Sequence, residues 1–371
     1  MGDRRRLIAT LAAAVLMTGA CGAGGGSGTG TASRDDYDDV LYDDGATADE
    51  IIDVAGAPFE VARSGDGSVL LSFAIRDDEG GDAEKGAWRL LGPNGAVVRS
   101  ETVPAFGEVH GLDDGFVLVE GETDEPAIRI ATDGTTTSAG ATRPFVPVEA
   151  GDVLISDLEP ATFYRPSDGS VHEMPPPPGA TGRDDIFQQL AIDDGGTIWG
   201  VTDWTTKTAP LVHSTDGGRT WSTEQVPMPG GDGGPYGLVS SHGVTVLTFA
   251  ELMAEPQGDD DIVDVRIATG GASRDFEPQG LPVDELHYPG IIVLPDGRLV
   301  VGEDDVTGAV GWFVATSPDN DAFERLELPA KTSTVTATGG ALYASSWASD
   351  DDSLWESRDD GETWDEVDVG R

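Results

Sequence analysis

Short apolar runs, many alternating with polar residues, recur along this chain and are separated by Asp-Gly, Gly-Asp and Pro-containing turns. Alternation of period two, bounded by such residues, predicts β-strands joined as antiparallel hairpins. The stretch 187–228 shows the unit most clearly: FQQLAI, turn DDGG, TIWGVTDW, loop TTKTA, PLVHS, turn TDGGRT, then WSTEQVPM. Two tight turns flank one longer loop, so the unit is a four-stranded meander. Similar units can be laid over Pro58–Val103, Pro104–Arg143, Pro144–Pro178, Asp185–Pro229, Gly234–Leu281, Asp284–Pro329 and Thr332–Val369. The third is short and ends in Pro175–Pro178; without it six units remain.

Two eight-residue blocks share one spelling, S-x-D-x-G-x-T-W: Ser214–Trp221 (STDGGRTW) and Ser357–Trp364 (SRDDGETW). They start 143 residues apart, three intervals of about 48, and repetition on that scale marks propellers or solenoids. The expectation is an all-β chain: a β-propeller of four-stranded antiparallel blades, seven in number. With 51 Gly and 23 Pro, long helices are not expected. The apolar Ile51, Ile52 and Val54 precede the first unit, and the segment 35–57 is read as a strap that lays an outer strand across the ring closure. The first and last units each hold four strands of their own, so closure does not demand strand exchange.

In each block, Asp followed by Gly supplies a side-chain bond to the turn backbone and a residue that accepts positive φ. These blocks resemble Asp boxes, the bacterial neuraminidase repeats of sialidases and several other β-propellers. The resemblance implies that Ser214, Asp216, Gly218, Thr220, Trp221, Ser357, Asp359, Gly361, Thr363 and Trp364 are structural residues, placed away from any active site. Weaker versions occur at Ser317–Phe323 (SPDNDAF) and at Thr132-Asp133-Gly134.

At the N-terminus, Arg4–Arg6 precede the apolar or small stretch Leu7–Ala20, which meets Cys21, the only cysteine. The stretch is too short to span a bilayer and reads as an export signal, residues 1–20. Small residues directly before a cysteine resemble the lipobox of bacterial lipoproteins, which implies a lipid on Cys21 and anchoring to the outer face of the bacterial cytoplasmic membrane. Residues 21–34 then form a Gly/Ser-rich tether and 35–371 the propeller.

Formal charge is −46; residues 1–20 carry one Asp against three Arg, +2, so the exported part carries −48. Nucleic acid is excluded as a partner, and the membrane is met through the lipid alone. A monomer is expected. In a blade, the first-to-second and third-to-fourth turns share one face of the disc; the second-to-third loops and the blade connections share the other. The loops of that second face hold 23 acids and three bases, Arg76, Lys85 and Lys207. The connections carry Arg143, Arg183, Tyr236, Glu285, His287 and Tyr288, the candidate ligand-binding residues. Asp259, Asp260, Asp261 and Asp350, Asp351, Asp352 are candidate Ca²⁺ ligands; no other cofactor is expected.

Sialidase chemistry needs an arginine cluster and a Tyr-Glu pair. Here the first unit reads Phe59-Glu60-Val61-Ala62-Arg63, without an Arg-Ile-Pro signature, and the connections offer two arginines. His110, His172, His213, His242 and His287 fall in separate units with no H-x-x-x-H pair, and neither a G-x-S-x-G elbow nor a C-x-x-C is present. These absences favour a non-catalytic module that binds an envelope protein or glycan, with no catalytic residue assigned. A glycoside hydrolase of exo-sialidase type is the alternative.

Overall fold

A computed structural model describes residues 34–76, 84–103, 107–120, 127–156, 161–175, 189–201, 208–227, 234–252, 262–271, 274–279, 281, 289–303, 311–330, 332, 334–346 and 353–370. Seven antiparallel sheets follow one another along the chain, as the turn spacing predicts. Blade one comprises β1 (Glu60–Arg63), β2 (Val69–Arg76), β3 (Glu84–Leu91) and β4 (Val97–Val103). Blade two comprises β5 (Gly107–Leu112), β6 (Gly115–Glu120), β7 (Ile128–Ala131) and β8 (Thr136–Ser138). Blade three holds β9 (Val153–Ser156), β10 (Thr162–Arg165) and β11 (Ser170–Glu173). Blade four is built from β12 (Gln189–Ile192), β13 (Ile198–Val201), β14 (Thr208–Ser214) and β15 (Ser222–Pro227). Blade five has β16 (Gly234–Ser241), β17 (Val244–Leu252), β18 (Ile262–Gly271) and β19 (Arg274–Gln279). Blade six has β20 (Pro289–Val293), β21 (Leu299–Glu303), β22 (Gly311–Ala315) and β23 (Phe323–Arg325). Blade seven ends the ring with β24 (Thr334–Thr338), β25 (Ala341–Ser345), β26 (Leu354–Ser357) and β27 (Asp365–Val367).

Alternation explains why the sheets form a ring. A blade lies between two neighbours, so both faces of its strands must be apolar, and successive side chains join different seams. Ala62 packs toward blade two with Trp88, Val109 and Phe116, while Val61 packs with Leu354 and Tyr343 of blade seven. The same division runs round the disc. Leu112, Val117, Ile155 and Tyr164 fill the seam between blades two and three; Trp199, Leu211, Leu247 and Phe249 fill that between four and five.

The third blade departs from the expected unit. Its sheet has three strands in the order β11-β10-β9, and the stretch from Pro144 to Val148 forms none. Pro144 and Pro147 lack the N–H that a ladder needs. The chain instead passes the outer edge of β11, where Arg143 makes a parallel bridge to His172; its N–H donates to Val171 O (2.9 Å) and its carbonyl accepts from Glu173 N (3.0 Å). Val148 N then donates to Gly217 O (3.1 Å) of blade four, and the chain enters β9 through the turn Glu149–Asp152. Of the described strands of blade three, β9 is the one nearest the axis.

The strap is also different from the expected outer strand. It forms two helices, α1 (Arg34–Tyr42) and α2 (Ala48–Ala55). Thr47 and Glu50 make a capping box: the Thr47 hydroxyl accepts from Glu50 N (3.3 Å), and Thr47 N donates to Glu50 Oε2 (2.8 Å). Ala48, Ile51 and Ile52 are thereby turned inward as one stripe of α2, a helical rather than a strand pattern, and Leu41 of α1 is buried beside them. They join Leu71, Phe73 and Ile75 of blade one and Tyr343, Leu354 and Val369 of blade seven. The ring therefore closes without strand exchange, with a helical wedge in its last seam.

Candidate functional site

The two repeated blocks occupy the third-to-fourth turns of blades four and seven. Ser214 Oγ donates to Asp216 Oδ1 (2.9 Å), Asp216 accepts from Thr220 N (2.8 Å) and Thr220 Oγ1 (2.7 Å), and Gly218 N donates to Ser214 Oγ (2.7 Å). Ser357, Asp359, Gly361 and Thr363 repeat the network, with Gly361 N to Ser357 Oγ at 2.8 Å and Thr363 N to Asp359 Oδ1 at 2.8 Å. Bonds from Thr220 lower the Asp216 pKa to about 2; bonds from Thr363 likewise lower that of Asp359. Gly218 and Gly361 have φ of +87° and +92°, and a Cβ there would overlap Pro175 of blade three or Leu326 of blade six. Each turn is thus a buttress against the preceding blade. These residues lie on the disc face opposite the blade connections.

Of the candidate ligand-binding residues, Arg183, Glu285, His287 and Tyr288 lie outside the described residues, as do Cys21 and the six aspartates Asp259–Asp261 and Asp350–Asp352. Tyr236 falls in β16, a first strand. Arg143 is not at the axis: it lies on the outer edge of blade three, half exposed, 3.8 Å from Asp168. Pairing with β11 carries it there.

A group of titratable side chains that no motif announced does lie at the axis. Glu60 opens β1 and Glu108 is the second residue of β5, so both stand where the first strands leave the face of the blade connections. The two strands are close: a Cβ on Gly111 would overlap the Arg63 carbonyl, and Gly65 N donates to Leu112 O (3.0 Å). Val109 packs into the seam with blade one and Leu112 into the seam with blade three, so Glu108 and His110, in register with Leu112, face blade three. That is the side on which β9 is the first described strand of blade three.

The environments of the three differ. Burial, then the neighbouring Glu108 charge, raises the Glu60 pKa to about 7. Burial also lowers the pKa of His110, against an opposing pull from Glu108. The Glu108 side chain is 63% exposed; its Oε1 lies 3.5 Å from His110 Nε2, and that nitrogen is closed off from solvent without a hydrogen-bond partner. An exposed carboxyl group, a buried carboxyl whose pKa is raised and an imidazole nitrogen without a hydrogen-bond partner make a site for a cation or a hydrogen-bond donor. Spacing could have flagged the E-x-H of Glu108 and His110; Glu60 emerges only when blades one and two are packed.

Elsewhere, Asp168, Ser170 and His172 lie within one blade, with Ser170 Oγ 2.7 Å from His172 Nε2. Asp168 bonds the serine rather than the far side of the imidazole, whose Nδ1 meets Pro144 O at 3.3 Å, and Ser170 is fully buried. This is a turn lock, without the order that nucleophilic catalysis needs. Among the described residues, no group of three His, Cys, Asp or Glu is arranged to hold a metal.

No family model matches the chain, and no curated protein matches it in sequence. Solved structures match its fold. The β-propeller domain of the Trilobed protease from Pyrococcus furiosus, described as having an open velcro topology, aligns over 85% of this chain and 99% of its own at 9% identity, TM-score 0.51. A catalytically inactive virginiamycin B lyase from Staphylococcus aureus, with quinupristin, aligns over 82% and 92% at 14% identity, TM-score 0.48. A gluconolactonase from Xanthomonas campestris covers 65% and 81% at 15% identity, TM-score 0.36. At these identities the likeness is one of fold, the seven-bladed propeller.

Proposed function

We propose that this chain is an exported, lipid-anchored module that binds an envelope protein or glycan at the axial end of its disc without transforming it. The observation that carries the reading is the group Glu60, Glu108 and His110 at the start of the first strands, on the face of the blade connections. The ligand group it suits is cationic or a hydrogen-bond donor, in keeping with the net charge of −46. The Arg4–Ala20 segment, Cys21 and the Gly/Ser-rich tether support delivery to the outer face of the cytoplasmic membrane, and the blocks at Ser214 and Ser357 support an Asp-box propeller.

Two measurements test this. Labelled fatty acid should enter the chain in a bacterial host and fail to enter Cys21→Ser; equal labelling of both would remove the anchor. Cross-linking at the envelope from a photoreactive residue at position 108 should give discrete adducts that are lost from Glu60→Gln. Adducts unaffected by that change would move the binding site elsewhere.

One observation favours the hydrolase reading. Glu60 and Glu108 are two carboxyl groups on neighbouring strands in unlike environments, one buried and one exposed, and such pairs divide into proton donor and carboxylate. Turnover of fluorogenic glycosides, a sialoside among them, that is lost in Glu60→Gln would establish it. No turnover from folded protein leaves the binding reading in place.

A further inference from the structure

We propose that Asn94, in the turn between β3 and β4, is a site of spontaneous deamidation that places an aspartyl or isoaspartyl residue beside the ring closure. This goes beyond the binding reading and does not depend on it.

The chain holds two asparagines, Asn94 and Asn320, and the structure sets them in opposite conditions. Asn94 is exposed and is followed by Gly95, which has no side chain to hinder the approach of its nitrogen to Asn94 Cγ. Asn320 is 1% exposed and is followed by Asp321. Its Oδ1 accepts from Leu299 N (2.8 Å), and its Nδ2 donates to Gly297 O (3.2 Å) and Pro318 O (3.1 Å), so the amide is held on both sides. Of the Asn94 side chain the turn uses the oxygen, which accepts from Ala96 N (3.2 Å). That bond polarises the amide carbonyl toward attack.

The step is intramolecular and needs only water. Gly95 N forms a bond to Asn94 Cγ, the Cγ–Nδ2 bond breaks, and Nδ2 leaves as ammonia with the proton from Gly95 N. Water then opens the cyclic imide at either carbonyl, giving aspartate or, with the main chain rerouted through Cβ and Cγ, isoaspartate. Gly95 N–H donates to Gly92 O (2.8 Å), so the reaction waits on opening of this exposed turn, a low-cost local event.

The aspartyl product suits the place. Asp66, Asp133 and Asp296 precede Gly in turns of the same form and accept from Ser68 N (2.9 Å), Thr135 N (2.9 Å) and Arg298 N (3.1 Å). The isoaspartyl product lengthens the main chain of the turn and works against the bond from Gly92 N to Ala96 O (2.8 Å). The two strands that meet at this turn also hold Val369 and Gly370. Arg89 of β3 donates to both carbonyls (2.9 Å each), and a Cβ on Gly370 would overlap Val97 of β4. Lengthening the turn therefore loosens the closure.

The test keeps the folded full chain in mildly alkaline buffer and follows the amide content at positions 94 and 320 by peptide mass, with isoaspartate measured by an isoaspartate-specific methyl-transfer assay. Loss at 94 should run roughly tenfold or more ahead of loss at 320, with isoaspartate formed as well as aspartate. Denaturant should speed the loss at 94, because it frees Gly95 N–H. Asn94→Asp, which reaches the acid without the imide, should unfold at the same denaturant concentration as the parent. The aged isoaspartyl fraction should unfold earlier and exchange faster in β4 and β27, and Asn94→Gln, kept for the same period, should show neither change. Amide lost no faster at 94 than at 320, or lost without isoaspartate, would overturn the proposal. An isoaspartyl fraction that exchanges like fresh protein in β4 and β27 would overturn it too, since the modification would then not reach the closure.

Discussion

The seam between blades four and five and the seam between blades seven and one solve the same packing problem with different materials. The first is mainly apolar: Trp199 lies tilted against His213 (ring centroids 4.7 Å apart), meets Phe276 edge-on at 5.8 Å, and is surrounded by Leu211, Leu238, Leu247 and Phe249, with one polar tie at the turns, where Asp194 accepts from Ser241 Oγ (3.2 Å) and His242 N (2.9 Å). The second joins the two ends of the ring and adds charge. Arg89, 3% exposed, donates from Nη1 to Val369 O and Gly370 O (2.9 Å each), from Nη2 to Asp49 Oδ1 (2.6 Å) and from Nε to Ser100 Oγ (3.0 Å). Arg63 reaches Tyr343 (3.1 Å) and Glu356 in blade seven, and Lys85 grips the Val40 carbonyl (2.9 Å) at the end of α1. Where the chain runs directly from blade to blade, covalent connection fixes the register and apolar surface fills most of the seam, with polar ties such as Asp194 to His242 confined to the turns. Where the ends meet, one buried arginine gathers the strap, the first blade and the last.

The largest effect is expected in the apolar seam. Trp199→Ala removes a buried indole between two blades and should cost about 4 kcal/mol in denaturant unfolding, with little dependence on salt. Arg89→Met keeps the volume but leaves two carbonyls and Asp49 without their donor, and should cost about 3 kcal/mol. The two losses should differ in place as well as size. Hydrogen exchange in Arg89→Met should speed up first in α2, β1 and β27, with blades three to five last. An even loss round the ring would break the comparison, because it would mean that the closure is no weaker than any other seam.

Seams between consecutive blades were legible in the sequence; the closure was not. Alternating runs and Asp-Gly turns locate the blades, and the observed strands fall within the seven expected units. Blade three departs from the four-stranded unit at its start, where Pro144 and Pro147 cannot donate to a ladder. The strap forms helices where Ile51, Ile52 and Val54 suggest an outer strand, because Thr47 and Glu50 spell a helix start. Arg89 carries no local signal, since its partners lie 40 and 280 residues away. The same holds for the axial group: Glu60 and Glu108 become neighbours only when two first strands are packed side by side. The acidic aspartate runs and four of the six axial candidates lie outside the described residues, so they remain expectations from sequence.

A third effect concerns pH and belongs to the seam between blades one and two. The folded-state pKa of Glu60 is about 7, above the ordinary glutamate value of 4.5, so the folded chain holds this proton longer than the unfolded one. Its contribution is fully present below pH 4.5 and is lost as pH rises toward 7. Across that window Glu60→Gln should remove a fall of about 2 kcal/mol, allowing for solvent screening. Unfolding curves at half-unit pH steps would show it as a flattened profile. If Arg89→Met flattened the profile instead, titration would lie in the closure and the division of labour between seams would be wrong.

The smallest effect separates two turns of nearly identical spelling. Trp221 Nε1 donates to Gly218 O (3.1 Å) within its own turn, whereas Trp364 Nε1 donates to Glu327 O (3.1 Å) in the preceding blade. Trp→Phe at either position keeps an aromatic ring and removes one N–H. At 364 the lost bond crosses the seam between blades six and seven, so Trp364→Phe should cost about 1 kcal/mol and raise exchange on both sides of that seam. At 221 the lost bond is local, and Trp221→Phe should loosen its own turn while the seam between blades three and four keeps its protection. Blade seven needs this extra tie because its far side rests on a helical wedge rather than on a covalently continuous neighbour. Equal changes in the two variants would mean that the repeated block acts in the same way wherever it occurs, and that ring closure places no special demand on the last blade.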